Sequence, residues 1–298
     1  MRQLHGNQRF QRSSWIGLAL VLPALVLYGI FVLYPIFDSF VVSFYKWIGV
    51  GPMKFIGLKN YVDAFKDPVV GTSFLNNVQY TLGIIVFAVL PGLVLAVMLA
   101  SGVPGRLTFQ TVFFIPRLMS QVIVAILWNW MYNPIFGLVN KVLRGMGLGE
   151  LAMGWLGDPH FALPALTVAG AWTYIGFCIV IFLAALQNTD PSLEEAATID
   201  GANRVQVFFR ILLPQLRPIV AMVVIYTVID SFKVFDLVFI LTSGGPGNAT
   251  EIMATYIYKQ AFSFNHFGYG SAITVLLTLF VLVVSIFYQR AQERGYAE

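Results

Sequence analysis

Long apolar stretches separated by short polar ones dominate the chain. They centre on Trp15 to Phe37, Tyr80 to Ala100, Leu107 to Tyr132, Phe161 to Leu186, Ile211 to Leu241, and Tyr269 to Tyr288. Each is charge-poor and reaches about 20 residues, the length at which a helix crosses roughly 30 Å of hydrocarbon. The runs are continuous instead of alternating at every second position, which excludes a closed barrel of short strands. The pattern predicts an all-α, polytopic membrane protein with six transmembrane helices. Composition agrees: 58% of the 298 residues are hydrophobic and only 11% charged, with a mean hydropathy of +0.78, outside the range of soluble domains. The first run is too long for a signal peptide, and Tyr34-Pro35-Ile36-Phe37 offers no small-residue cleavage pattern, so it reads as a retained helix.

Charge sets the expected orientation. Arg2, Arg9, Arg12, Arg106, Arg204, Arg210, Arg217, Arg290 and Arg294 fall on one side of the predicted spans, and that side is expected to be cytoplasmic, with both termini on it. The opposite loops carry Lys46, Lys54, Lys59, Lys66, Lys141, Arg144 and Lys259, so the bias is modest. Trp15, Trp47, Trp128 and Trp130 lie near span ends and read as interfacial anchors. Arginines beside anionic lipid headgroups account for the net charge of +4 without nucleic acid. The single cysteine, Cys178, has no disulfide partner and reads as a small buried hydrophobe. His5, His160 and His266 are scattered, so no metal site and no nucleophile with its base is expected, and the chain is not expected to be an enzyme.

One segment breaks the apolar pattern. Pro191 to Pro218 is polar and charged although it lies between two spans. Ser192 and Glu195 have capping-box spacing, and Gly201 supplies a residue able to stop a helix in a left-handed turn. Asn203 with Gln206 can start a second helix running through Phe208, Phe209 and Leu212 into the membrane. The prediction is a helix-turn-helix elbow whose first helix presents Ala196 and Ala197 beside Glu194 and Glu195, a small apolar knob ringed by charge.

This elbow carries a resemblance. Glu195-Ala196-Ala197, three residues, Gly201, nine residues, then Ile211 and Leu213-Pro214 resembles the EAA loop of ABC importer permeases. Further likenesses are Tyr34-Pro35-Ile36, Phe55-Ile56-Gly57-Leu58-Lys59-Asn60-Tyr61, Phe113-Phe114-Ile115-Pro116, Asn133-Pro134 with Phe136-Gly137-Leu138, and Leu241-Thr242-Ser243-Gly244-Gly245-Pro246. Together they resemble the permeases of the maltose and glycerol-3-phosphate type, specifically the partner with the L-T-x-G-G-P loop. The resemblance implies a type I ABC importer permease fold in a bacterial or archaeal inner membrane, a single permease domain over 1–298, and a coupling loop over 189–214. It implies that Glu194, Glu195, Ala196, Ala197, Asp200 and Gly201 engage a separate ATP-hydrolysing subunit, with Glu195 meeting a basic residue in its cleft. A helix cap is the plainer role for Glu195, and the two are compatible because they use different oxygens. The implied partners are a second, homologous permease, a dimer of ATPase subunits and an extracytoplasmic solute-binding protein facing the Thr242 to Tyr269 loop. No G-x-x-x-x-G-K-[ST] loop occurs in the chain, so ATP and magnesium are expected on the ATPase and no cofactor here.

Ionisable residues inside spans cost about 2.5 to 3.5 kcal/mol at the bilayer centre and should face protein or water. Asp230, Lys233 and Asp236 are such residues in the fifth span, with Asp230 and Lys233 on one face near Tyr226, Ser231 and Val234. They read either as a pathway wall or as mutual neutralisation, with Asp236 the more structural member. Arg117, with Gln121 beyond it, is a pathway residue or a snorkelling one. The resemblance places a mid-membrane sugar site on the stretches matching Arg117 and Gln121; Gly170, Thr173, Tyr174 and Phe177; and Asp230, Ser231 and Val234. For the aromatic residues, ordinary packing is the alternative. Arg117 and Asp230 make the site more charged than a neutral sugar requires, unless the two pair with each other.

The function expected is a non-catalytic permease subunit of an ATP-driven, binding-protein-dependent importer for a sugar or sugar-like solute. The alternative is an ion-coupled carrier using Asp230, Lys233 and Asp236 as relay groups, which would leave the elbow without a purpose.

Overall fold

The computed structural model describes residues 20–295. The expectations for Arg2, His5, Arg9, Arg12 and Trp15 lie outside the described residues, as does the side chain of Arg294. The described residues are mostly helical, with very little strand. Five helices are long and apolar enough to span a membrane: α1 Leu20–Val42, α3 Pro68–Ala100, α7 Ala162–Leu186, α9 Arg204–Phe232 and α12 Phe267–Gly295. A sixth span exists only as a bent pair, α4 Arg106–Leu118 and α5 Gln121–Met131, which meet at 100°. Shorter helices are α2 Lys59–Lys66, α6 Leu138–Gly145, α8 Pro191–Ile199, α10 Asp236–Leu241 and α11 Met253–Tyr258. A two-stranded antiparallel ribbon pairs β1, Tyr45–Lys46, with β2, Lys54–Phe55.

Two compact units emerge from the contacts. The smaller draws on the residues up to Ala64 and on Gln260–Val275. Its centre is Asn60, whose Nδ2 donates to Ser43 O at 2.8 Å and Tyr45 O at 3.0 Å, tying α2 to the ribbon. In α1 no residue of the apolar window is buried in the isolated chain, as expected of a helix whose natural neighbour is lipid or another subunit.

The larger unit comprises Phe65–Lys259 and the chain from Leu276. Helix α7 runs through its middle, buried along most of its length against α3, α4 and α9. Ile84 and Ala88 of α3, Cys178, Ile179 and Phe182 of α7, and Leu216 and Val223 of α9 form one dry core. Close approach there depends on small residues, the usual means of packing helices in lipid. A Cβ on Gly176 would lie 2.0 Å from Phe113 O and 2.8 Å from Phe114 Cα, so α4 rests directly on the α7 backbone at this point.

Two expected spans prove discontinuous. The third breaks at Met119 and Ser120: Pro116 removes a helical N–H, Met119 is extended, and the Ser120 hydroxyl caps α5 through Val122 N. The fifth stops at Phe232 and resumes as α10 at Asp236, leaving Lys233, Val234 and Phe235 as non-helical backbone. Other limits shift outward. The second span begins at Pro68, capped by Asp67, instead of Tyr80, and the first continues past Phe37 to Val42.

A buried asparagine pair holds the second break. Asn77 of α3 donates from Nδ2 to Ser231 O at 3.0 Å and accepts from Met253 N at 2.9 Å, bridging the end of α9 to α11. Its neighbour Asn76 donates to Asn248 O and Glu251 O. Asn77→Leu leaves a buried N–H and a buried carbonyl without partners, each costing about 1–3 kcal/mol. A clear drop in the thermal melting point of the purified chain is the expected result.

Candidate solute cavity and coupling elbow

A cavity of about 430 Å³ opens inside the larger unit. Helix α4 delivers Arg117 in its last turn, and Gln121 is the first residue of α5, so the break in the third span aims both at one space. Helix α7 contributes Gly170, Thr173 and Tyr174. The end of α9 and the break after it contribute Asp230, Ser231, Lys233 and Val234. Three stretches distant in sequence are thereby brought to one wall system.

Phe177 does not line the cavity but supports it. The Arg117 guanidinium lies 5.1 Å from the Tyr174 ring centroid and 5.4 Å from that of Phe177. Tyr226 stacks beneath at 6.4 Å from Tyr174 and 5.2 Å from Phe177. Its hydroxyl accepts a long hydrogen bond, 3.5 Å, from Arg117 Nη2. Arg117 therefore lies on an aromatic shelf, where cation–π attraction holds it without a carboxylate, instead of snorkelling to an interface.

The pairing weighed for the acidic residues does not form. Among the described residues, no ion pair within 4.0 Å involves Arg117, Asp230, Lys233 or Asp236. The helix break explains this. Lys233 caps the C-terminus of α9, with its N–H on Asp230 O at 3.1 Å, and Asp236 begins α10, so each charge complements a helix end instead of the other.

Asp236, expected to be the more structural member, lines the cavity as well, and sequence reasoning missed Tyr80, Ile84, Phe235 and Leu237, which complete the lining. Tyr80 packs so closely over Gly170 that a Cβ there would lie 2.2 Å from its hydroxyl. The polar cluster Asn76, Asn77, Gln79, Tyr80 and Thr81, set just ahead of the apolar half of α3, was the available signal.

The elbow forms as α8 followed by the start of α9. Asp190, not Ser192, is the N-cap of α8: its Oδ1 accepts from Ser192 N at 2.9 Å. Pro191 is the physical reason. Lacking an N–H and fixed in φ, it occupies the first helical position and moves the cap two residues ahead, from Ser192 to Asp190. Hydrogen bonds from the Ser192 side chain and backbone hold the Asp190 carboxyl below the usual carboxylate range. Its stabilising effect is thus complete above about pH 4 and fades only as pH falls through the lowered value. Glu195 is exposed and left free of capping duty.

The far end of α8 closes as expected. Gly201 has φ +84°, Gly201 N donates to Thr198 O at 3.1 Å, and Ala202 N donates to Ala197 O at 2.9 Å, a Schellman pattern. The Asn203–Gln206 capping box follows with both bonds made, at 2.9 and 2.8 Å. Ala197 packs inward against the core, whereas Glu195, Ala196 and Asp200 face outward beside Ile199, which is 86% exposed. Glu194 turns to a cavity of about 610 Å³ between the elbow and the ends of α3 and α7. Ile199 was not singled out from sequence.

Residues 84–295 match the profile of the binding-protein-dependent transport system inner membrane component family. The chain belongs to this family. It is accordingly a membrane-spanning permease subunit of an ABC importer, a non-catalytic component. The permease is 37% identical over 281 residues to the probable ABC transporter permease protein YurN of Bacillus subtilis, covering 93% of this chain and 96% of the relative. It is 33% identical over 267 residues to the arabinooligosaccharides transport system permease protein AraP of the same organism, covering 89% and 84%. Among solved structures, a bacterial ABC transporter chain involved in import of the acidic polysaccharide alginate superposes with a TM-score of 0.83 at 25% identity, covering 96% of the permease and 98% of that chain. Family membership does not favour the ion-coupled carrier.

Proposed function

We propose that the permease conducts a sugar or sugar-like solute through the cavity bounded by Arg117, Gln121, Gly170, Thr173, Tyr174, Asp230, Ser231, Lys233 and Val234, with Phe177 as its aromatic support. The observation carrying this reading is the convergence of three separate helix segments on one polar, aromatic-backed space within the spans. Planar polar groups over an aromatic platform suit a hydroxyl-rich ligand. The relatives named for arabinooligosaccharides and alginate are saccharide transporters, which supports the cargo class.

The rest of the machine is inferred around it. The chain acts as a single permease domain over 1–298, supplies half of the path, and pairs with a second, homologous permease. The elbow over 189–214 engages a dimer of ATP-hydrolysing subunits, which bind ATP and magnesium, on the cytoplasmic side where both termini lie. An extracytoplasmic binding protein delivers the solute to the loop between Thr242 and Tyr269. The setting is a bacterial or archaeal inner membrane.

The test is uptake by the complete importer in vesicles. Asp230→Asn and Gln121→Ala are each expected to reduce uptake about tenfold or more, the effect of losing one hydrogen bond worth ~1.5 kcal/mol, with basal ATP hydrolysis unchanged. Normal uptake in both variants would remove the cavity from the pathway.

A further inference from the structure

The charges in the cavity are unequally explained. Lys233 and Asp236 complement the helix ends at which they sit. Arg117 also lies in the last turn of its helix, yet its guanidinium is carried away from the α4 carbonyls onto the rings of Tyr174 and Phe177. The aromatic shelf occupies one face of the guanidinium, and Tyr226 takes a single long hydrogen bond. A fork of N–H donors is left for the cavity, and such a fork matches a carboxylate in two parallel bonds. Asp230 and Asp236 line the same cavity, but neither lies within 4.0 Å of Arg117, so a neutral solute would leave the guanidinium without a direct ion pair at membrane depth, where that is expensive.

We propose that the solute passing through this cavity carries an anionic group, a carboxylate in the simplest case, held edge-on by Arg117. Asp230 accepts hydrogen bonds from the hydroxyl groups of the same solute. Gln121 adds a neutral donor and acceptor on the Arg117 side, at the positive end of α5. The proposal rests on the cavity being the solute path and adds the chemical class of the cargo: an acidic saccharide.

The probes are digalacturonic acid and its dimethyl ester, which share a sugar frame and differ in charge. Each is titrated against the detergent-purified importer, comprising the permease, its partner permease and the ATPase dimer without binding protein, and protection is read as a rise in melting temperature by tryptophan fluorescence. The acid is expected to protect at about one-tenth the concentration of the ester, a difference of ~1.4 kcal/mol. Arg117→Gln is expected to abolish that difference, and Arg117→Lys, which keeps charge without the fork, to preserve only part of it. Equal protection by acid and ester, better protection by the ester, or protection by neither would overturn the proposal. The wild-type comparison alone decides this even if an Arg117 variant fails to fold. Failure here is separable from failure of the pathway reading, because Asp230→Asn and Gln121→Ala report on uptake whatever the charge of the cargo.

Discussion

Glu195→Lys is expected to release the ATP-hydrolysing subunit from the purified complex while leaving the melting temperature of the permease itself nearly unchanged. Glu195 is exposed on the outer face of α8 and caps nothing, since Asp190 fills that role. A charge reversal at a solvent-facing helix position costs the fold only tenths of a kcal/mol. At a docking cleft, by contrast, replacing a carboxylate that meets a basic group costs about 2–5 kcal/mol, or roughly thirtyfold and more in affinity. Co-purification measures the loss. Asp190→Ala makes the reciprocal control: losing the cap is expected to destabilise α8 and to weaken docking only as far as α8 frays. If Glu195→Lys co-purifies with its ATPase at the wild-type ratio, Glu195 is not a docking residue.

The second large effect is expected at Gly176. A side chain there must displace the backbone of α4 at Phe113 and Phe114, for which no rotamer change can substitute. Overpacking of this kind costs about 1–3 kcal/mol, and the rigid contact places Gly176→Val at the upper end. Transport should suffer beyond the loss of stability. Helix α4 carries Arg117 in its last turn, so pushing α4 outward lifts the guanidinium from Tyr174 and Phe177. Melting and uptake measured on the same preparation check both parts. Gly176→Ala is expected to lie between the wild type and Gly176→Val in both, and normal uptake by Gly176→Val would show that the α4–α7 contact does not position Arg117.

Much of this architecture was readable before any coordinates. The elbow was, because Gly201 and the Asn203–Gln206 pair act through local backbone chemistry that needs no tertiary context. The cap of α8 was misassigned for an equally local reason, since Pro191 outranks Ser192 in fixing the first helical position. The breaks at Met119–Ser120 and Lys233–Phe235 were invisible to hydropathy, which measures composition and is blind to backbone direction. Pro116 followed by Ser120 was a usable warning. The candidate cavity was legible as three groups of residues at similar depth, but their common wall depends on those breaks. The roles of Tyr80, Asn77 and Glu251 depend wholly on contacts far along the chain. Glu251, fully buried just before α11 and engaged with Thr255 and Lys259, offers no local signature at all.

The sharp angle between α4 and α5 bears on biogenesis. Their 13 and 11 residues reach only about 20 and 16 Å as helices, well short of the hydrocarbon layer. Neither limb can be threaded through a bilayer as an independent segment with its corner wetted by lipid. During synthesis α4 is expected to settle only once α7, made later, supplies the surface on which Phe113 and Phe114 rest. Chains halted before Ala162 should therefore remain sensitive to protease around Phe113 and Phe114, and extension through Leu186 should bring protection.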